Sequence, residues 1–494
     1  MVLYDKAKEF ELRHRSLKIG VVAATALATV LPLALFVGPA SADYAPAKND
    51  VVGVGSDTLQ YMLDFMADSS PSGSAGVNSG GNHFKLINFD ATADANARLA
   101  YGVDGGNGAE QTANACSPGT GTLAGTGNET TSHQNVPCVL NPTIVLRAGL
   151  SPAQRPNGSG AGFSALVDDI QAGDNSPPGS AHPEVIDYAR ASSAETSPTA
   201  SSLDGQDIDQ LEIATDTLPM LAVPTAQGGN AVALSAAQLK LIYQQATCTL
   251  TWNNAAIGGT SSDVIIPIIP QVGSGTRSFF AGQIGLTTST IGACAEVGEE
   301  NDPTAIAAAT NPSGVSDANP ADDAIEPMSA GRFALFQSGY FLDPSCAFDA
   351  VSAAVAPAEA CTLSNTAISV SNVNLVTTAN GYPATTAGTS GGALFDPTRP
   401  LYIYFRNSDF TNANGWQVGT NNNWVEALFW DSCQTGQTGC TGAVNGGPSD
   451  GPYGAPFIQG SSGQSDLAAA GVTPLVGSAE NCIDITVSST DPCG

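Results

Sequence analysis

Apolar positions recur at helical spacing in two stretches of the chain. Leu59, Met62, Leu63 and Met66 stand at i, i+3, i+4 and i+7, and so do Phe163, Leu166, Val167 and Ile170. Each set predicts a helix with one buried face. A third helix is expected to open at 273–277 and run toward Phe280 and Ile284. Short β-branched runs lie between these patterns. Val51 to Val54 and Thr143 to Leu146 read as strands, and Val264 to Ile269 as a third, which Pro267 places at a sheet edge or a strand end. Strands alternating with amphipathic helices are the signature of α/β units.

Gly, Ser, Thr, Asn and Pro crowd residues 69–82, 104–137, 296–326 and 376–398, which read as surface loops or insertions. No fixed-period repeat is visible. The first 42 residues stand apart. Lys6, Lys8, Arg13, Arg15 and Lys18 precede an apolar run from Ile19 to Val37 and the small residues Ala40-Ser41-Ala42. This is the pattern of a signal peptide, with cleavage expected before Asp43 and export to the cell exterior or surface. An uncleaved anchor is the other reading, since the run is nearly long enough to span a bilayer. Pro32 and the Ala-Ser-Ala exit favour removal. About 450 residues remain, too many for one core, so two or more domains are expected.

The leader holds five of the sixteen Lys and Arg and three of the 45 Asp and Glu, which leaves 11 basic and 42 acidic residues and a formal charge near −31. Nucleic acid is excluded as a partner, because neutralising its phosphates takes clustered Lys and Arg. The acidity reads as solubility outside the cell. It opposes a distant anion too, but salt screens surface charge within about 10 Å, and a buried site answers to its own dipoles. All ten cysteines lie beyond the leader, and an even number in an exported chain reads as five disulfides. Neighbour pairing is expected, joining Cys116 to Cys138, Cys248 to Cys294, Cys346 to Cys361, Cys433 to Cys440 and Cys482 to Cys493. No C-x-x-C motif or Cys/His cluster occurs, so neither a metal nor a cofactor is expected. Few lysines with abundant Ala and Gly point to a GC-rich bacterial source.

Three places repeat one local design: Gly55-Ser56-Asp57-Thr58, Gly158-Ser159-Gly160-Ala161-Gly162 and Gly273-Ser274-Gly275-Thr276-Arg277. Each sets a glycine, a hydroxyl and free backbone N–H groups at a helix start. The glycine lets a ligand approach the backbone, and the N–H groups and helix dipole favour an anion. Each taken singly also reads as an ordinary cap, and Asp57 with Gln60 has capping-box spacing. Were the three to converge, they would make an anion site that needs little full positive charge.

At these residues the chain resembles the phosphate-binding proteins of phosphate ABC transporters, which have the type II periplasmic-binding-protein fold. The pieces run in the family's order from about Val51 to Leu475. Val52 to Thr58 resembles the first ligand loop and Asn157 to Gly162 the second. Ile186 to Ser193 resembles the strand whose end adds a further ligand side chain. Leu218 to Thr225 resembles the first crossover into the second domain, and Leu234 to Tyr243, closing near Trp252-Asn253, the helix that follows. Gly273 to Arg277 resembles the second domain's ligand loop, Arg399 to Tyr404 the return strand, and Gly471 to Leu475 the end of the fold. The resemblance implies a two-domain α/β fold with a hinge, a ligand cleft between domains and disulfide-pinned insertions. The expected layout is a signal peptide over 1–42, a first domain over 50–218 and 396–480, a second over 219–395, and a C-terminal tail over 481–494. It further implies a monomeric binding protein, not an enzyme, that delivers inorganic phosphate to an ABC permease. The implied ligand residues are Ser56, Asp57, Thr58, Ser159, Gly160, Ser192, Ser193, Ser274, Gly275, Thr276 and Arg277.

Two departures bear on that site. The family usually has an arginine four residues before the serine of its Gly-Ser-Gly-Thr loop, and often an aspartate two residues before it; here these positions hold Pro270 and Val272. Arg277 could replace the guanidinium, or it forms a surface salt bridge. Asp57 could replace the carboxylate that accepts the proton of hydrogen phosphate and rejects sulfate, or it is a plain N-cap. Rival functions are binding of another oxyanion, a surface-protein role without transport, and an extracellular phosphatase. A phosphatase would need a metal cluster or a nucleophile with its base. No H-E-x-x-H occurs, and the histidines beyond the leader, His83, His133 and His182, are scattered through polar stretches.

Overall fold

The computed structural model describes residues 46–47, 49–70, 74–79, 84–91, 100–102, 138–140, 143–150, 153–168, 185–195, 207–338, 372–385, 392–410, 424–429, 456–475 and 482–485. The predicted leader lies outside these residues, and all that follows concerns the compact unit from Tyr44 onward. The first part of the chain gives β1 (Val51–Gly55), α1 (Gln60–Asp68), β2 (Leu86–Asn88), β3 (Ala100–Gly102), β4 (Cys138–Leu140), β5 (Thr143–Ile144), β6 (Ala153–Gln154), α2 (Ser159–Asp168), β7 (Tyr188–Ala191) and β8 (Ile208–Thr217). The middle gives β9 (Met220–Ala222), α3 (Ala236–Tyr243), β10 (Ile266–Pro270), α4 (Gly275–Gln283), β11 (Glu296–Gly298), α5 (Thr304–Ala308), β12 (Ala324–Pro327), α6 (Ala330–Ser338) and β13 (Asn374–Leu375). The last part gives β14 (Thr398–Arg406), α7 (Asn407–Phe410), α8 (Trp424–Leu428), α9 (Ser461–Ala469), β15 (Thr473–Pro474) and β16 (Cys482–Asp484).

Among the described residues these strands make two principal sheets, the expected two-part α/β architecture. A seven-stranded sheet runs β15-β8-β14-β7-β1-β2, with β16 also on β8, and a five-stranded sheet runs β11-β10-β12-β9-β13. β1 is parallel to β2 and β7, whereas β14 is antiparallel to β7 and β8. The chain leaves the first sheet after Thr217 and enters the second at Met220. It re-enters the first along β14, whose Thr398 lies opposite Thr217. The two passages touch, for the Leu218 N–H donates to the Pro397 carbonyl at 3.0 Å.

Both faces of the first sheet are covered, as parallel strands require. Val51 joins a core with Leu86, Tyr188, Leu211 and Leu401, while Val52 and Val54 join another with Phe163, Leu166 and Ile186. In the second sheet Ile266 and Ile268 face the first of these cores, and Ile265 and Ile269 face a third with Tyr243, Trp252 and Phe280. Each fully buried Leu, Ile, Met or Phe contributes about 1.5–3 kcal/mol. α1 is buried on nearly every side, not on one face, because α9 packs across it. Two of its polar side chains bond inside: Asn88 Nδ2 donates to Asp64 Oδ1 at 2.6 Å, and the Ala91 N–H to the Gln60 side chain at 3.0 Å.

Several sequence expectations need correction. The strand expected over Thr143 to Leu146 is only the two-residue β5, paired with β6 outside both main sheets. Of the two places open to Pro267 it takes the strand end, as the second residue of β10, which lies inside the five-stranded sheet and not at its edge. β11 pairs with β10 only from Ile268 onward, so the proline, which has no N–H, precedes that ladder. Residues 296–326 are not a loop: they carry β11, α5 and β12 and include the buried Glu299, Glu300, Asn301 and Asp302. The segment read as a tail contains β16, which pairs with β8. Cys248 is bonded to Cys294 as expected, and Cys482 is also in a disulfide. For the other four expected pairs at least one partner falls outside the described residues, as do Ile170 and all three histidines beyond the leader.

Candidate functional site

The three helix starts meet between the two sheets, held together by backbone contact. The Gly160 N–H at the start of α2 donates to the Gly273 carbonyl before α4 at 3.0 Å. Gly158 has φ +100°, and a Cβ there would lie 2.7 Å from that same carbonyl oxygen. A Cβ on Gly162 would overlap Gly55, and one on Gly275 would lie 2.6 Å from Ser192 Oγ and press on Ser159 Oγ. These glycines therefore admit neighbouring backbone and hydroxyls; Gly160, expected to offer its N–H to a ligand, spends it on Gly273. The Ser159 hydroxyl accepts from the Ser192 N–H at 3.0 Å and lies 3.4 Å from Ser192 Oγ.

Thr58, from the first sheet, and Thr276, from the second, donate their hydroxyls to one oxygen. Glu300 Oε1 accepts from Thr58 Oγ1 at 3.0 Å and from Thr276 Oγ1 at 2.7 Å. Arg399 stands behind both: its Nη1 donates to Thr276 Oγ1 at 2.6 Å and its Nη2 to Thr58 Oγ1 at 3.3 Å. The guanidinium is balanced by Asp216, at 3.0 Å with both side chains buried. Glu300 sits in the turn after β11, fixed by its N–H donating to Gln271 Oε1 at 2.7 Å. The neighbouring Glu299 accepts from Asn157 Nδ2 and Gln271 Nε2, each at 3.0 Å.

Asp57 is not the cap of α1. The residue at that position is Leu59, which makes no side-chain cap, and the Asp57 carbonyl, not its carboxylate, receives the Gln60 N–H. The carboxylate instead accepts from Asn301 Nδ2 at 2.9 Å and pairs with Arg332 at 3.3 Å. Arg332 in turn lies over the Tyr61 ring, 4.4 Å from its centroid. Beneath the first loop, the buried Arg190 donates to the carbonyls of Gly55, Ser56 and Phe89 and to Asn88. Burial holds the Arg190 guanidinium below its ordinary range, opposed by nearby Tyr188 and the carboxyls of Asp64, Asp90 and Asp57. Burial likewise pushes Asp64 up to about 8. The Ser56 hydroxyl is fully buried and has no hydrogen-bond partner.

The remaining expected residues take other roles. Ser274 Oγ accepts from the Arg277 N–H at 3.1 Å and so caps α4. The first two amides of that helix, Gly275 and Thr276, still lie outside its own ladder. The Arg277 guanidinium is not at the surface; it is buried, with donors 2.9 Å from the Pro270 carbonyl and 3.3 Å from that of Thr288. Ser193 is half-buried beside the others, its carbonyl accepting from Tyr404 Oη at 3.3 Å. Glu299, Glu300, Asn301, Arg332 and Asp216 belong to this constellation and escaped the sequence reading. Arg190, Arg399 and Asn157 lay within quoted motifs, but without a role. Among the described residues no group of His, Cys, Asp and Glu is placed to hold a metal ion, and no helix is long and apolar enough to cross a membrane.

No protein-family model matches the chain, and no curated protein matches it. Solved structures do. One from Clostridium perfringens, provisionally assigned as a phosphate ABC transporter substrate-binding protein and holding phosphate, is 12% identical over 86% of this chain and 100% of its own, with a TM-score of 0.40. A possible phosphate binding protein from Planctomyces limnophilus is 13% identical over 88% of this chain and 96% of its own, at 0.35. An ABC-type phosphate transport receptor from Vibrio cholerae is 15% identical over 69% of this chain and 90% of its own, at 0.33.

Proposed function

We propose that this chain is an exported solute-binding protein that captures a small oxyanion, inorganic phosphate by its sequence motifs, between its two sheets. The observation that carries the reading is the convergence of Thr58 and Thr276 on one acceptor oxygen, with Arg399 bonded to both hydroxyls. Hydroxyl donors from opposite sheets that share one anionic acceptor are arranged to hold an anion's oxygens. The amides at the start of α4 and the orphaned Ser56 hydroxyl add donors to the same region. A desolvated anion needs nearly every lone pair matched, since an unpaired buried charge costs several kcal/mol. Delivery of the ligand to an ABC permease is part of the same reading, as is a monomeric state. So is a discontinuous first domain, 50–218 and 396–480, around a second, 219–395.

The test is calorimetry on protein unfolded, freed of carried-over phosphate, refolded and titrated with phosphate and then sulfate. One-to-one phosphate binding with sulfate silent is the expected result. Silence toward both anions would reject the oxyanion reading, and turnover of a chromogenic phosphate ester would move the protein to the phosphatase class.

A further inference from the structure

Glu300 occupies the place that the proposed reading gives to a ligand oxygen. Its Oε1 already satisfies the hydroxyls of Thr58 and Thr276, whose second interactions go to Arg399. Its Oε2 is buried without a hydrogen bond, and among the described residues no ion pair reaches this side chain. The two basic groups nearest in the network are committed elsewhere, Arg399 to Asp216 and Arg332 to Asp57. A carboxylate with one oxygen fully used and the other buried and unmatched is poorly placed as a permanent structural bridge. It is well placed to be exchanged.

We propose that Glu300 is an internal counter-ligand. Its carboxylate, reaching from the turn after β11 in the second sheet to Thr58 of the first, holds the two parts together in place of the captured anion. Uptake is then an exchange of one anion for another: the incoming oxyanion takes over the Thr58 and Thr276 hydroxyls, and Glu300 swings out to water. Two negative groups cannot share these donors, because one hydroxyl proton serves one acceptor and like charges repel strongly where water is excluded. The exchange would keep the empty cleft from collapsing onto unmatched hydroxyls and would set a threshold that weakly bound anions fail to pass. This inference rests on the oxyanion reading above.

Two variants separate the parts. E300Q keeps an acceptor for both hydroxyls and removes the competing charge, so phosphate affinity at pH 7.5 should rise by about tenfold or more, a change of about 1.4 kcal/mol. E300A removes the bridge, so small-angle scattering of the phosphate-free protein should show a larger radius of gyration, restored by phosphate. Thermal melts of both variants establish that they are folded. Unchanged or weaker phosphate binding by E300Q overturns the inference, and a phosphate loss with relaxed sulfate exclusion would make Glu300 a direct ligand contact instead. If E300A opens but neither anion binds to wild type or variant, the bridge stands and the oxyanion reading falls. If E300A neither opens nor changes binding, the bridge falls alone.

Discussion

Asp57 and Arg332 form an ion pair at 3.3 Å with both side chains buried, and the second carboxylate oxygen of Asp57 is taken by Asn301. Both oxygens are thus engaged inside the protein, one by a guanidinium and one by an amide. Asp57→Asn is therefore expected to leave the ratio of phosphate to sulfate affinity unchanged, in contrast to the role the sequence motif implied. The pair also joins α6 to the loop after β1. Asp57→Ala leaves a buried guanidinium without its counter-charge and should cost about 3–5 kcal/mol in urea unfolding. A cost under 1 kcal/mol would show that the pair is dispensable.

Gly158 and Gly149 separate backbone strain from contact between the sheets. Both have positive φ, +100° and +90°, so alanine at either carries a strain of roughly 1–2 kcal/mol. A Cβ at Gly149 meets nothing within 4 Å, whereas one at Gly158 lies 2.7 Å from the Gly273 carbonyl oxygen. Gly149→Ala should lower stability by that strain alone and bind phosphate as wild type does. Gly158→Ala should in addition prevent the approach of Gly160 to Gly273 and weaken phosphate binding tenfold or more. Equal affinities in the two variants, read by calorimetry, would separate this contact from ligand capture.

The same glycines show what was legible in the sequence. A glycine, a hydroxyl and an apolar helical repeat within ten residues form a local pattern, so Thr58, Ser159 and Thr276 could be found without the fold. Glu300 and Arg399 could not: they lie 242 and 341 residues from Thr58, and only the packing of two sheets brings the three together. Residues 296–326 read as loop because Gly, Asn and Pro report turn propensity. They do not report that tertiary packing has buried Glu299 to Asp302. Arginine was hidden in the same way. Seven of the eight arginines after residue 42 lie among the described residues, and all seven are buried, so these basic residues are internal clamps.

Buried carboxyls set the pH dependence. Burial pushes Asp323 up to about 7, helped by the neighbouring carboxyls of Asp317 and Asp263 and opposed by its bonds from Asn230 and Trp252. Burial raises Glu296 to about 7 and Asp466 and Asp68 to about 6. These values lie above those of an unfolded chain, near 4, so between about pH 4 and 7 the folded protein holds more protons. Stability therefore falls as pH rises through that window, and the large negative charge acts in the same direction. The melting temperature should be higher at pH 5.5 than at pH 8. Asp323→Asn keeps an acceptor for Trp252 and Asn230 and should flatten the profile by raising stability at pH 8. A profile that climbs toward alkaline pH would contradict the assignment.

The Cys248–Cys294 disulfide joins the chain just beyond α3 to the approach of β11, a closed loop of 46 residues. Two backbone bonds lie in the same region, from the Gly292 N–H to the Tyr243 carbonyl at 2.8 Å and from the Cys294 N–H to the Gln245 carbonyl at 3.0 Å. They hold the folded geometry but do nothing to restrict the unfolded chain. The disulfide acts there, and for a loop of this length the chain-entropy treatment gives about 4 kcal/mol. Replacing both cysteines by alanine should lower urea-unfolding stability by up to that amount while the backbone bonds keep the native arrangement. The circular-dichroism spectrum should stay native and phosphate binding should survive below the new transition. A variant that loses binding before it unfolds would mean that the bridge also shapes the turn after β11, where Glu300 sits.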